Sequence, residues 1–186
     1  MAGRRRGFDR EEVLDQVTRA FWRAGFDATS VADLTRLTGV NPPSLYAAYG
    51  DKKALFGEVV ERYRRTYGAF TTRAVDEEPT ARAAVERVLR EAAVEYTDPE
   101  RPRGCLVFSA PELGDLRAAA VDAIEAKIRH DIAAGVLSAD VDAHGLAVFV
   151  AATVRGMSGL ARDGATREEL AHVARVAMSA WPAPVP

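Results

Sequence analysis

The sequence predicts an all-α protein with a small three-helix head and a larger helical half. Three observations predict it. Apolar residues recur at intervals of three and four along most of the chain, the spacing that gathers them into one stripe of a helix. β-Branched residues nowhere alternate with polar ones over the length of a strand. Start and stop signals punctuate the pattern, with Asp9, Thr29-Ser30 and Asp142 at starts and Gly25, Gly39, Gly50 and Gly135 at stops.

The first helix opens at Asp9-x-x-Glu12, where Asp9 can accept from exposed amides while Glu12 reaches back. Val13, Val17, Ala20, Phe21 and Ala24 form its apolar face, and Gly25 ends it. Thr29 and Ser30 can cap a second helix bearing Val31, Leu34 and Leu37, which Gly39 stops after two turns. Asn41-Pro42-Pro43 opens a third short helix, because proline is tolerated in a first turn; Leu45 and Tyr49 face inward. Gly50-Asp51 breaks it, and Asp51 caps a long fourth helix, expected over about 52–71, with Leu55, Val59, Val60 and Tyr63 on one side. Further helices are expected over about 80–96, 115–134 and 143–162, with a short apolar segment at 105–110. Thr166-x-x-Glu169 starts the last helix, which runs to near Trp181, and the proline-rich residues 182–186 cannot be helical.

The 186 residues are 48% hydrophobic and 28% charged, the composition of a soluble globular protein. No run of about 18 apolar residues is evident and no apolar stretch follows the basic amino terminus, so no membrane partner is expected and the cytoplasm is the expected location. One cysteine, Cys105, cannot form an internal disulfide or a multi-cysteine zinc site. The net charge of −2 conceals an asymmetry: residues 1–67 carry twelve Lys/Arg against nine Asp/Glu, and the remainder thirteen against eighteen. The basic excess lies where phosphates would be met.

The informative stretch is Thr29 to Lys53, TSVADLTRLTGVNPPSLYAAYGDKK. Two short helices meeting at Thr38-Gly39-Val40-Asn41 make either an ordinary helical hairpin or a helix-turn-helix, whose second helix fits a major groove about 12 Å wide. Asn41, Pro43, Ser44, Tyr46 and Ala48 are the outward residues of that second helix, and Lys52 and Lys53 flank it at the start of the next. Phe21 with Gly25-Phe26, Thr29-Ser30-Val31 with Asp33-Leu34, Gly39-Val40, Ser44-Leu45-Tyr46 with Tyr49, and Lys52-x-x-Leu55 together closely resemble the DNA-binding domain of the TetR family of regulators. The resemblance covers roughly a third of the chain, Phe8 to about Tyr63.

It implies a DNA-binding head over residues 1–51, a connecting helix over about 52–71, and a ligand-binding and dimerisation domain over 72–186. The expected protein is a homodimeric, sequence-specific regulator of double-stranded operator DNA, released by a small-molecule effector, with no cofactor and no catalytic residues. Thr29, Ser44, Tyr46 and Lys52 are implied DNA contacts, and Ser30, Asn41, Pro43 and Tyr49 complete the set with the arm Arg4-Arg5-Arg6. Pro42 and Ala48 depart from residues common in relatives, so an operator does not transfer.

For the second half the resemblance is architectural, although Arg103-Gly104-Cys105 looks like a subgroup of the family. Tyr96, Cys105, Phe108, Leu116, Ile124, Ile128 and Phe149 are candidate effector-lining residues, although plain core is the readier account of any one of them. Ala152, Gly156 and Gly159, on one face of the penultimate helix with Phe149, and Val173 and Ala177 of the last helix are candidates for a dimeric four-helix bundle; a single-subunit core is the alternative. Cys105 reads either as a buried inert thiol or as a sensor near Arg101 and Arg103. His130, Asp131, His144 and Cys105 lack metal-ligand spacing, so no metal is expected. An all-helical enzyme is the alternative function, but no phosphate-binding glycine loop or nucleophile motif supports it. A ligand-independent, sequence-blind DNA-coating protein is another, and so neutral a head argues against it.

Overall fold

The structure, a computed structural model, describes residues 8–183. The chain divides into two compact units, with the boundary between Thr66 and Tyr67. Among the described residues every regular element is helical.

The first unit contains α1 (Arg10–Ala24), α2 (Val31–Thr38), α3 (Pro42–Tyr49) and α4 (Lys52–Arg65). Each start has a side-chain cap. Asp9 accepts from the Glu11 and Glu12 amides at 2.9 and 3.2 Å, and Asp51 from the Ala54 amide at 2.8 Å. Only the Asp9 half of the expected capping box at α1 forms, because the Glu12 carboxylate takes a hydrogen bond from Gln16 instead. α1 and α4 build the core: Val13, Leu14, Val17, Phe21 and Trp22 meet Leu55, Phe56, Val59 and Tyr63, all buried. Trp22 and Tyr63 pack edge to face at 4.9 Å. Two ion-pair clusters tie the same helices, Arg62 to Glu11 and Asp15 at 2.5 and 3.2 Å, and Arg10 to Glu58 at 2.7 Å.

The fourth helix is shorter than its sequence pattern predicts. It stops at Arg65 because Thr66 leaves helical geometry (φ −117°, ψ −92°), with its hydroxyl donating to the Arg62 carbonyl at 2.8 Å. Gly68 then begins α5 (Ala69–Glu77), only the first turn of which falls inside the fourth helix expected over about 52–71; the remainder has no counterpart among the expected helices.

The second unit continues with α6 (Ala81–Glu95), α7 (Leu106–Ser109), a 3-10 turn at Pro111–Leu113, α8 (Gly114–Ala133), α9 (Ala143–Arg162) and α10 (Arg167–Ser179). α6 is its axis, packing against α5, α8, α9 and α10. Four of its seven buried residues are alanine, which lets these neighbours approach closely. The loop before α7 is fitted against α9: Gly104 has φ +75°, and a Cβ there would fall 2.8 Å from the Ser158 carbonyl oxygen. The next amide, of Cys105, donates to Ser158 Oγ at 2.9 Å. The capping box expected at Thr166 forms completely with Glu169. α9 is long and apolar enough to cross a membrane by length and composition, although the chain shows no uninterrupted apolar run, and only 33% of its apolar window is buried in the subunit.

A buried carboxylate joins α8 to the start of α6. Asp131 is 2% exposed and accepts from the Ala81 amide at 2.7 Å. Asp131→Ala leaves that amide without its partner. It is expected to lower stability by about 1–3 kcal/mol in urea unfolding, and an unchanged midpoint would count against this role.

Candidate nucleic-acid interface

The helix-turn-helix is α2, the turn Gly39-Val40-Asn41, and α3. Gly39 sits in the left-handed region at φ 69°, where side chains other than glycine's are strained, and this closes α2 sharply. Ser30 and Asp33 form a reciprocal capping box at the start of α2. The hydrogen bonds from Ser30 hold the Asp33 carboxyl below the usual carboxylate range. Asn41 caps α3, its side-chain oxygen accepting from the Ser44 amide at 3.0 Å.

α3 has a divided surface. Leu45 and Tyr49 are buried, and Asn41, Pro43, Tyr46 and Ala47 are exposed with Ser44 and Ala48 at the margin. Tyr46, at 47% exposure, is the largest outward group. Beside it Lys52 opens α4 with its ammonium 4.3 Å from the centre of the Phe26 ring. Phe26 is held in turn by Phe56 and Phe21, at centroid distances of 5.0 and 6.0 Å. Lys52 therefore stands on an aromatic platform at the edge of α3.

Two candidate contacts lie inside instead. Thr29 is 3% exposed and donates its hydroxyl to the Gly25 carbonyl at 2.7 Å. Tyr49 is 4% exposed, and its hydroxyl donates to the Arg10 carbonyl at 2.8 Å. Burial raises the Tyr49 phenol above its ordinary range. Both position helices, and the expectation that they face DNA is corrected accordingly. Ser30 is exposed but spends its hydroxyl on the capping box. Arg4, Arg5 and Arg6 lie outside the described residues.

In the second unit Tyr96, Cys105 and Ile128 are buried, while Phe108, Leu116 and Ile124 are half-buried. Tyr96 packs its phenol against the Cys105 thiol, and burial pushes that phenol well above its ordinary range. Phe149 is 42% exposed on α9, so it is removed from the effector-lining set. Ala152, Gly156 and Gly159 share that open face. Val173 is half-buried, and Ala177 is buried within its own unit with Leu170 and Trp181, so it is removed from the interface set. The exposed Val148, Leu160 and Val176 escaped the sequence reading. Their signal was adjacency, since Val148 precedes Phe149 and Leu160 follows Gly156 by four. Among the described residues no three His, Cys, Asp or Glu side chains gather as a metal site.

A capped helix-turn-helix with an open second helix, carried on a separate helical unit, defines a DNA-binding regulator. Residues 13–59 match the family model described as bacterial regulatory proteins, tetR family. The HTH-type transcriptional repressor ComR of Escherichia coli K12 is 31% identical, over 97% of this chain and 92% of its own. The repressor BdcR of the same organism is 34% identical, over 94% and 90%. A solved TetR-family regulator, a CifR cysteine mutant in complex with 26-bp operator DNA, has a TM-score of 0.89 at 38% identity, covering 96% of this chain and all of its own. The chain belongs to the tetR family of bacterial regulatory proteins. It is a DNA-binding transcriptional regulator, not an enzyme.

The anchoring of α3 is open to test. Tyr49→Phe removes only the hydroxyl bonded to Arg10. It should cost the head about 0.5–1.5 kcal/mol, read as a shifted unfolding midpoint, and wild-type stability would remove the bond from the account.

Proposed function

We propose that the protein is a homodimeric transcriptional repressor that grips an operator duplex with α3 of each subunit and lets go when a small molecule binds its second unit. The observation that carries this is the outer face of α3, free of its own core and flanked by the perched Lys52. The operator-bound state of the similar CifR supports DNA as the partner. Asn41, Pro43, Ser44 and Tyr46 face the major groove, and Ser30 and Lys52 lie toward phosphates. Arg4, Arg5 and Arg6 supply charge for a phosphate or minor-groove contact. Such a regulator works in the cytoplasm, where its operator is.

The dimer reading rests on α9. Phe149, Ala152, Gly156 and Gly159 repeat at helical spacing, and Val148 and Leu160 widen the exposed strip. Glycine inside a helix costs about 0.5–1 kcal/mol relative to alanine. A Cβ on Gly156 or Gly159 would meet nothing within 4 Å in the subunit, so no contact there calls for glycine. Close approach by a second subunit's helix gives both residues a reason, and Val173 and the exposed Val176 extend the surface onto α10. The effector reading rests on the half-buried Phe108, Leu116 and Ile124 beside the buried Tyr96, Cys105 and Ile128.

Electrophoretic shift against competitor DNA tests the operator role. Tyr46→Ala should weaken specific binding by about 1–3 kcal/mol if the ring meets a base edge. Lys52→Ala should weaken binding to all sequences and lower the salt slope by about one unit. Unchanged affinity in both variants, with folding intact, would remove this face from the interface.

Gly156→Leu tests the dimer. The added side chain points into open space in the subunit but would overpack a helix pair. Sedimentation is expected to show a folded monomer, with operator binding reduced because two half-sites need two heads. A variant that stays dimeric, or a wild type that is monomeric at micromolar concentration, would overturn the assignment.

A further inference from the structure

Apart from the hydroxyls of Ser44 and Tyr46, the side chains on the outer face of α3 are made of carbon. The helix reads Pro42-Pro43-Ser44-Leu45-Tyr46-Ala47-Ala48-Tyr49 and holds no charged side chain. With Leu45 and Tyr49 buried, the exposed residues of the helix are Pro43, Tyr46 and Ala47. Side-chain reading of guanine in the major groove uses arginine or lysine, and reading of adenine uses a bidentate amide. α3 has neither. Asn41, at its cap, has its side-chain oxygen engaged by the Ser44 amide at 3.0 Å, so it is not free for the bidentate pairing with adenine. Lys52 and Arg36 lie on the neighbouring helices, Arg36 paired with Asp33 at 3.2 Å. A phosphate contact made by either carries no sequence information.

The major-groove feature that carbon can read is the thymine C5-methyl group. Pro43 and Ala47 are four residues apart on the same exposed side. They are separated by about 6 Å of helix rise, enough for the two side chains to meet different base pairs. We propose that α3 reads thymine methyl groups packed against Pro43 and Ala47, on two different base pairs of its half-site, beside any contact that Tyr46 makes. This rests on the reading of α3 as the major-groove helix and names the chemistry that the helix reads.

The test uses the full-length protein and duplexes selected from a randomised library. The tightest duplex is resynthesised with single thymines replaced by uracil, which removes the methyl and leaves every hydrogen-bonding group. Two thymines in each half-site should each show a penalty of about four-fold on replacement, the equivalent of the ~0.8 kcal/mol attached to one buried carbon. Ala47→Gly should abolish the penalty at one of them and Pro43→Ala should shrink it at the other. The thymine-to-uracil ratio is taken within one variant, so any general loss of folding or affinity cancels. Failure to enrich any sequence would overturn the operator reading itself. Specific binding with uracil equal to thymine at every position overturns the methyl proposal alone, as do penalties that neither substitution changes.

Discussion

An eight-residue helix does not hold itself together in water, because nucleating a helix is costly and two turns return few hydrogen bonds. Everything the head presents outward therefore depends on how α3 is held from behind. Leu45 is buried beside Leu34 of α2 and Leu55 of α4, Tyr49 is buried, and its hydroxyl bonds the first residue of α1. The guanidinium of that residue, Arg10, lies 4.8 Å from the centre of the Tyr49 ring while pairing with Glu58 of α4. One side chain thus connects three helices at the end of the reading helix. Exposed ion pairs contribute little to stability, so the energetic weight falls on the buried rings, and the ion pairs fix direction. This division lets the outer face of α3 vary without loss of the fold.

The second unit has the opposite surplus. α6 supplies a core of small residues, and α9 completes it with Ala147, Val150, Val154, Met157 and Ala161. Its other side exposes Val148, Phe149 and Leu160 around the charged Arg155. Large apolar side chains grouped on one exposed face are surface that water covers poorly. The two glycines on the open side would weaken a solvent-facing helix, and the proposed second subunit would satisfy the sequence better than water does.

The helix boundaries were legible in the sequence because capping is local chemistry: Asp9, Ser30, Asn41, Asp51, Thr80, Asp142 and Thr166 all accept from amides within three residues. The end of α4 was missed because neither a proline nor an immediate glycine marks it. A threonine hydroxyl turned back on the Arg62 carbonyl does so, and threonine inside a helix makes the same bond. Most of the outward face of α3 was also legible, although Ala47 is exposed where the sequence pattern points to Ala48, which is half-buried; Thr29, before α2, and Tyr49 were counted among DNA contacts, while their burial is a tertiary fact. Periodicity likewise showed that α9 has apolar stripes without showing which stripe its own subunit covers. Phe149 and Val150 are adjacent in sequence, and one is exposed while the other is buried.

The early end of α4 bears on how the proposed effector would act. A continuous helix from 52 to 71 would carry a rotation at its far end directly into the head, whereas α4 ends at Arg65 and the non-helical Thr66 follows. A ligand can shift the balance between DNA-competent and incompetent dimers only by the difference in its affinity for the two, whatever the path of transmission. Couplings of about 1–3 kcal/mol are typical, some 5–150-fold in affinity, and they are reciprocal, so the operator weakens the effector as much as the effector weakens the operator.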